Sequence, residues 1–283
     1  MRDTKRRGFF KTAAALSLAP FALNAAQEEP TLRFIHITDS HMDLADSDSV
    51  EAMELMSSFI NANYKELDFV LFGGDNFNNN VKGNTDALKF KEIIERLHCP
   101  AYLVRGNKES SPKPADGIDL EQFKTLFLSH HELEVHGRDW RLEKKGYTIL
   151  GLDSCIEGAN NGVYTQETIN FAKHALKSKK PTIILNHHPY TNYWGSKDEK
   201  EIHKYVLNNA DEVQKEILDD ESVILTLSGH KHIDSVKEHQ GTQMIVTRGF
   251  IRALDMDAYP MRYIEIQGQK INEKLIYTTD MDA

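Results

Sequence analysis

The chain offers little sulfur chemistry: 283 residues contain only two cysteines, Cys99 and Cys155. That is too few for a disulfide scaffold or a thiolate metal cluster. Two isolated thiols are the expected reading, with a pair between them as the alternative. A basic stripe is also missing. The formal net charge is -9, and without residues 1–26 the chain keeps 29 basic against 42 acidic groups, a balance of -13. Proteins that grip nucleic acid through its phosphates carry the opposite pattern, so long DNA or RNA is excluded as a partner. No repeat, low-complexity segment or interdomain linker is visible, and no activated Ser or Cys nucleophile stands out. What remains, 40% hydrophobic and 27% charged residues, is ordinary for a soluble globular chain with a sizeable core.

The first thirty residues read as an address. Lys5-Arg6-Arg7-Gly8-Phe9-Phe10-Lys11 precedes an apolar stretch from Thr12 to Leu23, then the small residues Asn24-Ala25-Ala26. This is the three-part layout of a secretory signal, and its paired arginines resemble the twin-arginine motif. The apolar stretch is too short to span a ~30 Å hydrocarbon core. The expectation is a leader over residues 1–26, delivery by the twin-arginine export machinery to the periplasm, and no stable membrane anchor.

From Thr31 onward, short runs of Val, Ile, Leu and Phe alternate with helical spacing, which predicts an α/β fold. Strands are expected at 32–38, 69–73, 101–104, 182–186 and 223–228. Helices are expected at 50–63, 87–97, 166–176 and 210–218, with Asp48 or Ser49 and Thr85 as caps for the first two. Strands at 140–143, 147–152, 235–239, 243–247 and 262–266, several of them consecutive, predict antiparallel pairing in the second half. Two packed sheets flanked by helices follow.

Polar residues cluster directly after five of these strands. Asp39-Ser40-His41 follows the first, Gly73-Gly74-Asp75-Asn76 the second and Gly106-Asn107-Lys108-Glu109 the third. Asn186-His187-His188-Pro189 and Gly229-His230-Lys231-His232 follow two later ones. In open α/β sheets the carboxyl ends of strands form the ligand crevice, so all five sets can converge. Carboxylate, amide oxygen and imidazole suit borderline divalent or trivalent metals. In extended chain, residues two apart point the same way, which aims Asp39 with His41 and His230 with His232. Glycines before Asp75, Asn107 and His230 are expected to let the backbone turn sharply.

Each set alone is ordinary turn or surface chemistry. Together and in this order they resemble the calcineurin-like metallophosphoesterase family, whose pattern runs D-x-H, G-D, G-N-H-E, H-x-P and G-H-x-H, in the branch containing bacterial cyclic-nucleotide phosphodiesterases. The resemblance covers Leu32 to about Thr247, within a single domain over residues 31–279. It implies a four-layer αββα sandwich of two mixed β-sheets flanked by helices. It implies two metal ions, with Asp39, His41 and His232 on the first, Asn107, His187 and His230 on the second, and Asp75 bridging. Mn or Fe is favoured and Zn is the alternative, since folded export would carry metal inserted in the cytoplasm. The substrate would be a small phosphodiester or phosphomonoester, attacked directly at phosphorus by hydroxide without a phosphoenzyme.

One position departs from the family pattern, because Lys108 stands where a histidine is expected. A lysine supplies positive charge to a phosphoryl oxygen but is a reluctant proton donor at neutral pH. In one reading Lys108 acts electrostatically and His188 gives the proton. In the other, metals are kept, catalysis is weakened, and the chain is a periplasmic metal- or ligand-binding module. Seven intact ligand positions favour the enzyme. Arg105 is a candidate for a substrate phosphate, with surface ion pairing as the alternative, and Asn107 is another beside its metal. Tyr190, Tyr193 and Trp194 could stack on a base, while His36 is expected to be a satisfied core histidine.

Overall fold

Alternating apolar runs pair into two sheets, seen in a computed structural model that describes residues 30–78, 84–110, 118–191, 197–198, 200, 202, 205–251 and 259–279. The first sheet has five strands: β1 (Leu32–Ile37), β2 (Phe69–Phe72), β3 (Ala101–Leu103), β11 (Pro260–Gln267) and β12 (Lys270–Tyr277), ordered β12-β11-β1-β2-β3. Strands β1, β2 and β3 run parallel, and β11 and β12 are antiparallel. The second sheet has seven: β4 (Glu134–His136), β5 (Asp139–Lys144), β6 (Tyr147–Gly151), β7 (Thr182–Leu185), β8 (Val223–Ser228), β9 (Ser235–His239) and β10 (Thr242–Val246). Their order is β4-β5-β6-β7-β8-β10-β9, parallel from β6 through β10 and antiparallel at both margins.

The period of two in each central strand sorts its side chains between two cores. Ile149 and Ile183 join the large core that also holds Phe34, Phe72 and Ile264, whereas their neighbours Leu150 and Ile184 pack with Ile169, Val213 and Ile217. The large core takes in the helices α1 (Ser47–Asn63), α2 (Thr85–Ile94) and α4 (Leu120–Phe127), the last preceded by the one-turn α3 (Asn107–Ser110), through Met53, Ile60, Phe90 and Phe127. The second core holds α5 (Gln166–Leu176) and α6 (Ala210–Val213), the latter continued by a π turn over Gln214–Leu218. Helix, sheet, sheet, helix is the expected α/β layering, and it is observed.

Local differences from the sequence reading have simple causes. Helix α1 begins at Ser47 behind Asp46, because the Ser49 hydroxyl bonds back to the Asp46 and Asp43 carbonyls from inside the first turn. Asn84, with φ 63°, precedes Thr85 as the cap of α2. Strand β12 was not expected. It is an edge strand whose alternation is blurred by Lys, Asn and Glu, and its signal was the two-residue turn that pairs Gln267 with Lys270. At the margin of the other edge, the Trp140 indole donates to the Leu103 carbonyl (2.6 Å) and so ties β5 to β3 across the sandwich.

Cys99 is half-buried and Cys155 buried, and both are free thiols. The expected leader, residues 1–26, lies outside the described residues. Among the described residues no helix is long and apolar enough to cross a membrane.

Candidate metal centre

The ends of β1, β2 and β3 in one sheet and of β7 and β8 in the other meet at one edge of the sandwich, and all seven expected ligands are there. Five of them hold a positive φ: Asp39 54°, His41 41°, Asp75 50°, His230 72° and His232 58°. Left-handed backbone is costly for these residue types and persists where surrounding contacts fix it. The contacts are plain. Backbone N–H groups of Asp39 and His41 donate to the carbonyls of Gly74 and Asp75, which locks the first loop onto the second.

Glu109 does the same for the second and third loops. Its carboxylate accepts from the N–H groups of Asp75 (3.1 Å), Asn76 (2.6 Å), Phe77 (3.2 Å) and Gly106 (2.6 Å). Burial pushes this carboxyl up to about 7 against the Gly106, Phe77 and Asn76 donors. Sequence reasoning quoted Glu109 but gave it no task, since nothing in a linear motif says that a carboxylate will collect backbone donors from two loops.

The glycines work partly as expected. Gly74 has φ +91°, a true turn requirement. Gly106 does not, and its reason is space: a Cβ there would lie 2.1 Å from the Asp75 nitrogen.

Seven side chains form two half-sites. In the first, His41 Nε2 and His232 Nε2 stand 3.1 Å apart, and His232 Nε2 lies 3.1 Å from Asp39 Oδ1. In the second, His187 Nε2 lies 3.1 Å from both Asn107 Oδ1 and His230 Nδ1. Asp75 reaches into both, with Oδ2 3.8 Å from His41 Nε2 and Oδ1 3.5 Å from His187 Nε2.

Supporting bonds fix which atoms carry lone pairs. Asn78 gives its amide nitrogen to Asp43 (3.2 Å), so its oxygen accepts from His41 Nδ1 (3.1 Å) and leaves Nε2 without a proton of its own, facing His232 Nε2. His187 Nδ1 donates to the Gly73 carbonyl (2.8 Å), so its Nε2 is bare as well. The Thr38 hydroxyl and the His230 N–H both go to Asp39 Oδ2, leaving Oδ1 to face His232 Nε2. A bare imidazole nitrogen facing an amide oxygen at 3.1 Å is two acceptors with no proton between them, an arrangement that a cation resolves. The donor set therefore fits metal ions, carboxylate oxygen and imidazole together.

The charges agree. Burial alone would raise Asp39, but His232, with which it is hydrogen-bonded, together with His187 and His41 holds it well below the usual carboxylate range. Burial, Asp39 and Glu109 push Asp75 well up. Burial lowers His187 to about 3, which keeps it a neutral ligand.

This set of loops matches the calcineurin-like phosphoesterase family model over residues 32–234. The chain belongs to the calcineurin-like phosphoesterase family. It is a metal-dependent phosphoesterase, from a family that typically binds two metal ions. Among curated relatives, the 3′,5′-cyclic adenosine monophosphate phosphodiesterase of Haemophilus influenzae is 24% identical over 78% of this chain and 77% of its own length. Among solved structures, a dimetal phosphatase from Danio rerio superposes with TM-score 0.66 at 11% identity, covering 89% of this chain and all of that one. The purple acid phosphatase of yellow lupin (Lupinus luteus) seeds gives TM-score 0.64 at 12% identity, covering 89% of this chain and 52% of the lupin chain. At such identities the two structures show a shared fold.

The remaining candidates of this phosphoesterase are placed differently from expectation. Arg105 is not at the surface. Its guanidinium is buried, with Nε on Asp153 (2.7 Å) and Nη1 on Glu157 (2.8 Å) holding the loop after β6, while its buried Nη2 has no hydrogen-bond partner. His188 is buried behind His230 and donates Nε2–H to the Asn160 carbonyl (3.1 Å) while Nδ1 accepts from Ser154 (2.8 Å). Burial and His187 lower it to about 3, and its ring stands with those of His187 and His230 in a group that could itself hold a metal ion.

Lys108 is half-buried at the mouth. Its N–H donates to Asp75 Oδ1 (2.7 Å), and its ammonium makes no hydrogen bond or ion pair among the described residues. Tyr190 is buried, its hydroxyl on Tyr164 (2.6 Å), and cannot stack on a base. Tyr193 and Trp194 lie outside the described residues. Tyr205, unremarked in the sequence, faces His230 at 5.7 Å and carries the Lys231 ammonium 3.3 Å above its ring. His36 bonds Thr247 through Nδ1 (2.9 Å), but its Nε2 has no partner, so it is only half satisfied.

Proposed function

We propose that this phosphoesterase hydrolyses small phosphodiesters at a binuclear metal centre. The observation that carries the reading is Asp75, whose two carboxylate oxygens face one half-site each. Asp39, His41 and His232 would hold one ion, Asn107, His187 and His230 the other, and Asp75 both. Bound there, two ions supply Lewis acidity, lowering the pKa of a coordinated water and clamping phosphoryl oxygens for in-line displacement.

The chain's own residues then set the ester class. Lys108 brings one positive charge to the mouth, Arg105 is neutralised by Asp153 and Glu157, and Lys231 sits over Tyr205. With this little cationic charge at the centre among the described residues, the monoanionic diester is favoured over the dianionic monoester. Phosphodiesterase relatives support the same choice. His188 holds its proton on the Asn160 carbonyl and keeps the second half-site rigid. Periplasmic delivery by the twin-arginine route, and Mn or Fe as the resident metal, belong to the same proposal.

The test is metal content together with hydrolysis of a bis-aryl phosphodiester and an aryl phosphomonoester, for the mature chain and Asp75→Ala. Two metals per chain, a diester preference and loss of both in the variant are expected. A single metal, or a variant as active as the parent, overturns the binuclear reading. Zn alone in periplasmic protein overturns the metal preference.

A further inference from the structure

The loop between β6 and α5 touches the second half-site at three points. Ser154 and the Asn160 carbonyl hold the two nitrogens of His188, and Asn160 Oδ1 accepts from Asn107 Nδ2 at 3.3 Å. The loop is itself anchored. Asp153 and Glu157 bind the Arg105 guanidinium, and the Gly158 N–H donates to the Ser110 carbonyl (2.8 Å). At Gly162 its backbone lies against the His188 ring, where a Cβ would be 2.3 Å from Nδ1.

The contact with Asn107 solves a problem that the metal-free chain faces. His187 Nε2 has no proton of its own, because Nδ1–H is committed to the Gly73 carbonyl, and it faces Asn107 Oδ1 and His230 Nδ1 at 3.1 Å each. If the Asn107 amide turned over, its NH2 would donate to that nitrogen at the same 3.1 Å separation and close the ligand position with a proton. Turning over is cheap in isolation, since an amide is nearly symmetric in shape. What opposes it is Asn160: after the turn, the Asn107 oxygen would face the Asn160 oxygen, acceptor against acceptor.

We infer that Asn160 is a positioning residue that sets the amide orientation of Asn107 and so keeps the second metal position open. This rests on the binuclear reading above. Asn160 is solvent-exposed, so changing it leaves the core alone. The Asn160 amide can also turn and donate to Asn107, whereas an aspartate at this position can only accept. The order of second-metal affinity is therefore Asn160→Asp above the parent, and the parent above Asn160→Ala. Asn161→Asp adds the same charge one residue away, on a side chain with no bond to Asn107, and is the control for electrostatics.

The experiment is Mn titration of the metal-free mature chain, followed by calorimetry and by electron paramagnetic resonance, in which the second equivalent produces a spin-coupled pair. Asn160→Ala should need about tenfold more Mn for the coupled signal, the usual size of an outer-sphere effect, with the first equivalent and the thermal midpoint unchanged. Asn160→Asp should need less Mn than the parent, and Asn161→Asp should stay within about threefold of it. Equal titration of Asn160→Ala and parent overturns the inference, as does equal tightening by both aspartates. A parent that never yields the coupled signal overturns the binuclear reading itself, and the inference with it.

Discussion

The two sheets contribute different chemistry to one centre. The five-stranded sheet supplies oxygen: Asp39, Asp75 and Asn107, with His41 its single imidazole. The seven-stranded sheet supplies only nitrogen, from His187, His230 and His232. All the negative charge of the ligand set therefore sits on one sheet, and neither sheet can complete a half-site alone. The first half-site draws on two carboxylates and the second only on the shared Asp75, so the first is expected to load more tightly.

The largest test of that asymmetry exchanges charge without changing shape. Asp39→Asn should weaken the first Mn equivalent by about a hundredfold or more, at least the upper end seen for outer-sphere changes. His187→Gln should spare the first equivalent and weaken the second. Calorimetric titration checks both, and equal effects on both equivalents would erase the distinction between the sheets.

A smaller effect concerns how closely the sheets approach. A Cβ on Gly229, after β8, would lie 1.9 Å from Thr38 Oγ1 and 2.3 Å from Asp39 Oδ2, after β1. Gly229→Ala should force the two strand ends apart and destabilise the fold by about 1–3 kcal/mol, as overpacking does. Chemical denaturation with metals removed reads this directly.

The smallest effect is a proton count. The Asp75 carboxyl is raised by burial and by Asp39 and Glu109, so in the metal-free chain it keeps a proton at pH values where an ordinary carboxyl has lost it. His187, lowered to about 3, carries no second proton above pH ~4. Metal loading at pH 5.5 should release a proton from the oxygen sheet and none from His187, so affinity rises with pH. Calorimetry in buffers of different ionisation enthalpy should show that release lost in Asp75→Asn and kept in His187→Gln.

The seven candidate ligands were legible because each follows a strand, and strand ends are the one place where distant parts of such a sequence must converge. The alternation expected of Asp-x-His and His-x-His does not apply, because Asp39, His41, His230 and His232 all hold left-handed rather than extended backbone. Glu109, Asn160 and Arg105 were not legible for the opposite reason. Their partners lie across loops, and a charged residue at a strand end gives no sign of whether it will face solvent or a buried carboxylate. Strand β12 escaped because an edge strand needs only one sheltered face.

The indole of Trp140 is one of two in the chain, fully buried between the sheets, with its N–H on the Leu103 carbonyl. Its emission thus serves as a built-in gauge of the gap between the layers: a red shift marks water reaching the seam. The same clasp occupies a backbone carbonyl on the open margin of β3, denying that acceptor to a stray strand from another molecule.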